Sequence, residues 1–586
     1  MASLAIVVFS GILLYFPSLH YDFSHLDDAT YVGSNGDIRR INFEMLKRWF
    51  TREYVLLYVP ITIASFAIDY QIWHFNPFGY HLSNLILHLL NSLLVYWLIW
   101  KMSKNDLLAF AVSLMFMIHP VQTESVIWIS ERKNLLSTFF FLLSFSQYIR
   151  RKWLSTFFLF MVAVLSKPNV VVAPIIFLIY DYFFGSPFSK KERNYLFLGI
   201  VIASIGMSAV TVFLHSKGEI YFRGGNFFSN AGVMSVVFFR YLQLLLYPHA
   251  QQIFYLTKIY NFFHDWQVSA AILGIVLLGF LWWSERKKHP DICFWSAWYL
   301  VFLAPSSNLL FPISTLMNDR YLYVPIIGFF AGFFLVVMKL GNKVAARLFQ
   351  FPRKAFNFFA ALLGFSFFIS FFLLSAQRVQ DWRTYASLCE SGIFRERYPD
   401  PRLHAGLALA LSLKGNLDQA VQVVDQSLKM TMRLDAILFQ IQNYLLLNNL
   451  EKAYEYIKLA EKVPSGIWKT AGYYDLYGQY YERKDNFYKA EGAYKSSIEI
   501  DPQIPAFLHL ATLYEKAGKW KQAIHILHDA LLVDPDSKGA LTYLCLFYLK
   551  QRDYANAYPN YLRLRDLYPT DPVVQIISHQ MSRQSG

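Results

Sequence analysis

Apolar residues gather in the first two-thirds of the chain into long blocks nearly free of charge. From about residue 400 they thin into a helical rhythm. The blocks fall near 2–18, 82–100, 107–118, 135–149, 153–165, 170–184, 195–214, 231–248, 266–283, 291–304, 321–340 and 355–375. Several approach the ~20 residues that a helix needs to cross a bilayer. Residues 1–378 therefore read as a polytopic helical membrane domain. In the later part Ala420, Ala453, Ala490, Ala523 and Ala557 recur at spacings of 33, 37, 33 and 34. Pro502, Pro535 and Pro569 follow at 33 and 34. A period near 34, with a small residue where two helices meet and a proline between units, is the tetratricopeptide pattern. Five helix pairs are expected at 401–430, 436–463, 470–500, 504–534 and 537–568. They form an α-solenoid with a concave groove over 401–572, after a linker at 379–400 and before a tail at 573–586. The fold class is all-α throughout.

Charge adds an orientation. The formal net charge is +14, and in a membrane protein such an excess sits in cytoplasmic loops. Basic clusters stand at Lys101/Lys104, Arg150–Lys152, Lys190/Lys191/Arg193, Arg286–Lys288 and Lys339 through Lys354. Three apolar blocks lie between Arg193 and Arg286, where two loops on one side require an even number. The weakest block, 231–248, carries Arg240 and Gln243 and is expected to be short or re-entrant. The count becomes about eleven spans, with the N-terminus inside and the repeat arm outside. Loops 19–80, 119–134, 215–265 and 305–320 then share the outer side.

The first block lacks a basic leader and a small-residue cleavage site, so it is read as a retained span. Loop 19–80 holds Trp49, Tyr54, Tyr58, Trp73 and Phe75 among charges, and is expected to lay helices in the membrane interface. No basic stripe is interleaved with stacking aromatics, so nucleic acid is not an expected partner. Cys293, Cys389 and Cys545 are too scattered for a metal site or a disulfide framework.

The chemistry gathers on the outer side. Asp27 and Asp28 follow the first span, and a carboxylate there could take a proton from an acceptor hydroxyl or help to hold a divalent ion. A solvated pair capping an interfacial helix is the plainer alternative. The run from His119 to Asn134 packs Glu124, Glu131, Arg132 and Lys133 at the membrane boundary, where such groups are costly. Lys167 opens the sixth span, and Asp319, Arg320 and Tyr323 open the eleventh. Arg132, Lys167, Arg240 and Arg320 are thus four cations on the side that the positive-inside rule disfavours. A phosphate or pyrophosphate site needs such a set; snorkelling side chains are the alternative.

His81, Asn84, His88 and Asn91 form a polar stripe expected to bond between helices. Tyr444, Tyr473, Tyr474, Tyr477 and Trp520 are read as packing residues of the repeats. The sequence carries no Walker-type phosphate loop, no Gly-x-Ser-x-Gly and no His-Glu-x-x-His. It shows no half-repeat of the transporter kind.

Several of these motifs occur together and in order. They are Asp27-Asp28, Tyr58-Val-Pro60-Ile-Thr through Asn76-Pro-Phe-Gly-Tyr80-His81-Leu-Ser-Asn84, and His119-Pro-Val-Gln-Thr-Glu124. Ser130-Glu-Arg-Lys-Asn-Leu, Leu165-Ser-Lys167-Pro, Asp319-Arg320-Tyr-Leu-Tyr323-Val-Pro325 and Arg378-Val-Gln-Asp-Trp382 follow. In them the chain resembles the membrane glycosyltransferases with tetratricopeptide arms, the eukaryotic transmembrane-and-TPR O-mannosyltransferases and their bacterial relatives. Val59 and Gln122 depart from that pattern, which often has Arg and a second His there.

The resemblance implies a GT-C membrane fold. It implies transfer of mannose or a similar hexose from a polyprenyl-phosphate carrier to a protein or other acceptor hydroxyl, on the periplasmic or luminal face. It makes Asp27 or Asp28 the base and puts Arg132, Lys167, Arg240 and Arg320 at the lipid phosphate. His119, Glu124, Glu131, Lys133, Asp319 and Tyr323 complete the substrate site. A divalent cation, Mg or Mn, would sit at Asp27 and Asp28 if one is used. The repeat groove would take a polypeptide acceptor or partner protein. The wording of the motifs points to a bacterial inner membrane with the arm in the periplasm. The rival readings are a membrane-anchored TPR scaffold without activity, and a flippase or polymerase subunit for lipid-linked sugars.

Overall fold

The computed structural model describes residues 2–216, 222, 225–249, 251–255, 260, 265–309, 313, 315–347, 353–395, 400–463, 468–569 and 571–582. Parts of loops 215–265 and 305–320, part of the basic stretch 339–354 and the end of the tail lie outside them. Two compact units result, Met1–Asp400 and Pro401–Gly586. Regular structure among the described residues is helical, apart from one isolated bridge between Tyr54 and Leu57.

In the first unit, local chemistry sets the helix ends. Pro60, Pro77, Pro290 and Pro325 open helices Pro60–Trp73, Pro77–Ser103, Pro290–Leu303 and Pro325–Arg347, at the position where a missing N–H costs nothing. Asn76, Asn105 and Asn226 cap the helices that follow them, each side chain accepting a backbone N–H.

Six helical segments are long and apolar enough to cross a membrane: Ala2–His20, Pro77–Ser103, Lys190–Leu214, Phe227–Leu246, Trp266–Glu285 and Ala361–Asp381. A seventh arises if Asp106–Ile118 and Pro120–Ile127, bent by 52°, count as one. The other expected spans include the shorter apolar helices Trp153–Ser166, Pro168–Phe184 and Pro325–Gly341. The motifs themselves do the shortening. His119-Pro120 and Lys167-Pro168 each break a helix, because proline cannot continue the i to i−4 ladder.

Segment 231–248 corrects the expectation of a short element, since Phe227–Leu246 is a 20-residue helix. Both its ends nevertheless meet the loop that precedes Pro325. Asn230 Nδ2 donates to Asn308 O at 2.7 Å, and Asn318 N donates to the Tyr241 hydroxyl at 3.2 Å. Loop 19–80 also differs from expectation. It folds on a core of its own, with Tyr31, Ile38, Trp49, Tyr54, Val59 and Phe66 buried together. Asp37 ties that core by accepting from Arg48, Arg52 and the Tyr54 hydroxyl. The short helix Phe43–Trp49 offers an exposed apolar edge, through Phe43, Leu46 and neighbouring Phe50.

Helices Pro290–Leu303 and Pro325–Arg347 approach through Gly328. A Cβ there would collide with the backbone oxygen of Trp295 and lie 2.8 Å from Tyr299 N. Gly332, one turn on, faces the same helix, a small-xxx-small seam. Gly328→Ala is expected to destabilise this unit by ~1–3 kcal/mol, as overpacking does. Thermal unfolding in detergent checks it, with Gly332→Ala as the milder control.

The second unit pairs Pro401–Leu413 with Leu417–Met430, Leu434–Leu446 with Leu450–Glu461, Ala471–Arg483 with Phe487–Ile500, Ile504–Lys516 with Trp520–Val533, and Lys538–Lys550 with Tyr554–Leu567. The five recurrent alanines all lie on second helices and are fully buried. Neighbouring first helices are laced by Lys516 to Glu482 and Lys550 to Glu515, both at 2.6 Å. Tyr444 and Tyr473 are buried packing residues, and Tyr474, Tyr477 and Trp520 are half-buried. The tail carries a further helix, Pro572–Ser582. The stretch read as a linker is mostly helical too. Arg353–Asp381 runs into it, and Tyr385–Arg395 follows.

Candidate active site at the ends of the membrane helices

The two adjacent aspartates have different surroundings. Asp28 is buried and accepts four hydrogen bonds. Ser24 gives its amide at 2.9 Å and its hydroxyl at 2.8 Å to one oxygen. Ser130 gives its amide at 2.9 Å and its hydroxyl to the other. Burial still holds this carboxyl above its usual range, against those four donors. Asp28 thus staples loop 19–80 to loop 119–134. Asp27 is only half-buried, and among the described residues its carboxylate accepts no hydrogen bond. Its charge acts on Lys133 and Tyr31.

Glu131 is the hub. Its carboxylate lies 3.1 Å from Lys133 Nζ, 3.1 Å from Lys167 Nζ and 3.5 Å from Arg320 Nε. Asn134 donates to it at 2.8 Å and accepts from Lys167 at 2.7 Å. Burial pushes Glu131 up, but Lys133, Lys167 and Arg320 prevail and hold it at about 2. Lys167 is brought down to about 8 by burial, aided by Lys133 and Arg320 and opposed by Glu131. Arg320 also pairs with buried Glu124 and lies over the Trp128 ring. Three cations and two carboxylates from separate parts of the chain therefore meet at one place.

Asp319 belongs to an adjoining network. It accepts from the Tyr255 hydroxyl and, at 3.0 Å, from Gln251 Nε2; Arg378 Nη2 stands 3.9 Å away. Burial, reinforced by the charge of Glu124, raises Asp319 to about 7.

Other expected site residues are committed elsewhere. Arg132 is 1% exposed, and its guanidinium is occupied by Asp69 at 2.5 Å, Asn84 at 2.8 Å, and the carbonyls of Tyr80 and Ser65. It also covers the Phe66 ring. Its neighbours make it a brace between helices. His119 Nδ1 accepts from Val121 N, so Nε2 carries the hydrogen and donates to Leu245 O at 3.1 Å. The Tyr323 hydroxyl meets His88 Nδ1 at 2.8 Å and Asn91 at 3.1 Å. Both residues join helices. Arg240 is half-buried, six residues before the end of helix Phe227–Leu246.

Asn84, His88 and Asn91 of the polar stripe bond between helices as expected, whereas neither ring nitrogen of buried His81 has a hydrogen-bond partner among the described residues. Asn84 reaches Arg132 and the Val126 carbonyl, and Asn91 reaches Leu135 O. The two departures are internal as well: Val59 caps helix Pro60–Trp73 in the core, and Gln122 Nε2 donates to Tyr323 O at 3.5 Å. The donor set does not suit a metal at the aspartate pair, because both oxygens of Asp28 are taken. Among the described residues, no group of three or more His, Cys, Asp or Glu could hold one. Arg378, Trp128 and Trp382, which the sequence reading left out of the site, adjoin it; the arginine signal was present in Arg378-Val-Gln-Asp-Trp382.

Fold and site define an all-α membrane protein with a tetratricopeptide-repeat domain and a buried, charge-dense centre where its loops meet. A family model described as tetratricopeptide repeat matches residues 508–572. The chain is similar to the protein O-mannosyl-transferases of the TMTC group. Against Tmtc3 of Drosophila melanogaster it is 23% identical, covering 87% of this chain and 62% of that protein. Against human TMTC3 it is 24% identical, covering 46% and 34%, and against human TMTC1 25%, covering 56% and 44%. The chain thus spans between about a third and three-fifths of these relatives' length. A thermophilic TPR protein of Thermus thermophilus aligns with 31% of this chain and 99% of its own, at 19% identity and a TM-score of 0.28.

Proposed function

We propose that this protein transfers a hexose, mannose or a close relative, from a polyprenyl-phosphate carrier to a hydroxyl of a polypeptide, on the outer face of its membrane. The observation that carries the reading is the convergence of Lys133, Lys167 and Arg320 on Glu131, with Asp27 acting on the same cluster. An anchor or scaffold has no use for three cations gathered on one buried carboxylate at the ends of its membrane helices. A lipid phosphate has, because they would stabilise the charge that grows on it as the sugar leaves. In this reading Asp27 takes the proton of the acceptor hydroxyl. The acceptor oxygen attacks the anomeric carbon, and the C–O bond to the carrier phosphate breaks. Glu131 and Glu124 hold the cations in place until the phosphate shares them. The repeat groove binds the acceptor polypeptide.

The test is transfer from a panel of radiolabelled polyprenyl-phosphate sugars to endogenous acceptor in membranes that contain the chain. Incorporation from at least one donor, absent from membranes without the chain, is the expected result. No incorporation from any donor would return the argument to the scaffold.

Lys167 gives the reading a pH signature. Below about 8 its amine is charged and available to phosphate; above it the cation is lost. The KM for donor should therefore rise as pH climbs through 8. Lys167→Arg, whose guanidinium stays charged, should flatten that rise. Steady-state kinetics between pH 6.5 and 9.5 would show it.

A further inference from the structure

Beside the Glu131 cluster, four N–H donors are buried with no acceptor among the described residues. They are Arg378 Nε and Nη2, Trp128 Nε1 and Trp382 Nε1. The residues that carry them are 2%, 5% and 6% exposed. They also adjoin one another. The two indoles have centroids 6.1 Å apart, and the Arg378 guanidinium lies 5.9 Å from the Trp382 ring. Arg320 lies 5.1 Å from the Trp128 ring, which links this group to the cluster.

A buried donor left without a partner costs ~1–3 kcal/mol, so four together call for a partner that the described residues do not supply, a ligand or water. The geometry of Arg378 says which kind. Its Nη1 is spent on Asp381 at 3.3 Å, and Asp381 is itself held by Arg395 at 2.5 and 3.1 Å. The nearest other acid, Asp319, is 3.9 Å from Nη2 and already accepts from Tyr255 and Gln251. The pair left over, Nε and Nη2, is the edge of a guanidinium that takes two oxygens of a phosphate at once. Arg132 offers the opposite case, with Nε, Nη1 and Nη2 all occupied by the protein.

We propose that Arg378, Trp128 and Trp382 form the subsite that grips the donor's phosphate, with Arg378 Nε and Nη2 on two phosphate oxygens and the indole N–H groups on the remaining phosphate or sugar oxygens. This rests on the reading of the protein as a polyprenyl-phosphate-dependent transferase. It makes Arg378 a principal phosphate ligand beside the Glu131 cations.

The probe is citronellyl phosphate, a short soluble prenyl phosphate, titrated calorimetrically into the full chain in detergent. Arg378→Gln is expected to weaken binding at least tenfold. Trp128→Phe and Trp382→Phe, which keep an aromatic ring but delete the N–H together with part of the indole, are each expected to weaken it severalfold. In the absence of ligand the two Phe variants should lose some melting temperature to the cavity left by the smaller ring, so affinity is compared for the folded fraction.

If the wild type binds citronellyl phosphate and all three variants bind it equally, water satisfies these donors and the subsite is refuted, while the transferase reading stands. Phe variants whose folded fraction binds citronellyl phosphate with the affinity of the wild type would show a structural role for the indoles and likewise refute it. A wild type that binds no citronellyl phosphate overturns the transferase reading itself.

Discussion

Asp27→Asn is expected to lower sugar transfer by at least ~100-fold, the scale of a lost general base, without lowering the melting temperature. The carboxylate is half-exposed and accepts no hydrogen bond among the described residues, so an amide of the same shape disturbs nothing that holds the fold. Asp28→Asn should behave in the opposite way. Its two oxygens accept four hydrogen bonds in a buried site, and an Asn side chain has one acceptor oxygen for them. The loss is expected to cost ~2–4 kcal/mol of stability, with activity falling only as folded protein is lost. Label incorporation per folded molecule separates the two. A stable, inactive Asp28→Asn beside an active Asp27→Asn would exchange the two roles.

Glu131→Gln carries the second large effect. It leaves Lys133, Lys167 and Arg320 around a neutral amide, and breaking such a buried pairing costs ~3–5 kcal/mol. Adding citronellyl phosphate should then restore much of the melting temperature, because an anion that binds only the folded state stabilises it. The ligand-induced rise should be larger in Glu131→Gln than in the wild type, where Glu131 competes for the same cations. Equal rises in the two proteins would mean that these cations never meet the phosphate.

The sequence announced which groups matter more clearly than what each one does. The alanine period placed the repeat helices, because a small residue is needed wherever two helices touch at close range, and all five alanines are fully buried. The polar stripe from Asn84 to Asn91 was legible for a related reason, since unpaired amides are not tolerated between apolar helices. Asp27 and Asp28 could not be told apart, because two of the four hydrogen bonds that set Asp28 apart come from Ser130, 102 residues away. Arg132 looked like a phosphate ligand because it stands, with Lys167, Arg240 and Arg320, on the side that the positive-inside rule disfavours. Only the fold reveals that Asp69 and Asn84 have consumed it. Segment 231–248 looked weak because Arg240 and Gln243 lowered its apolarity. That measure speaks to membrane affinity rather than to helix length, and a helix of full length formed.

The Asp28 staple also constrains how the chain can be made. While ribosomes extend it, Asp28 waits for Ser130, and Glu131 then waits for Arg320, since each partner emerges far later than the group it satisfies. Until residue 320 has been delivered, an acidic centre stands at the membrane surface with part of its counter-charge missing. Contacts this distant in sequence form late and slowly. Nascent chains arrested before that residue should therefore be captured by membrane chaperones and proteases, while chains arrested beyond it, repeat arm still incomplete, should already hold a settled membrane body.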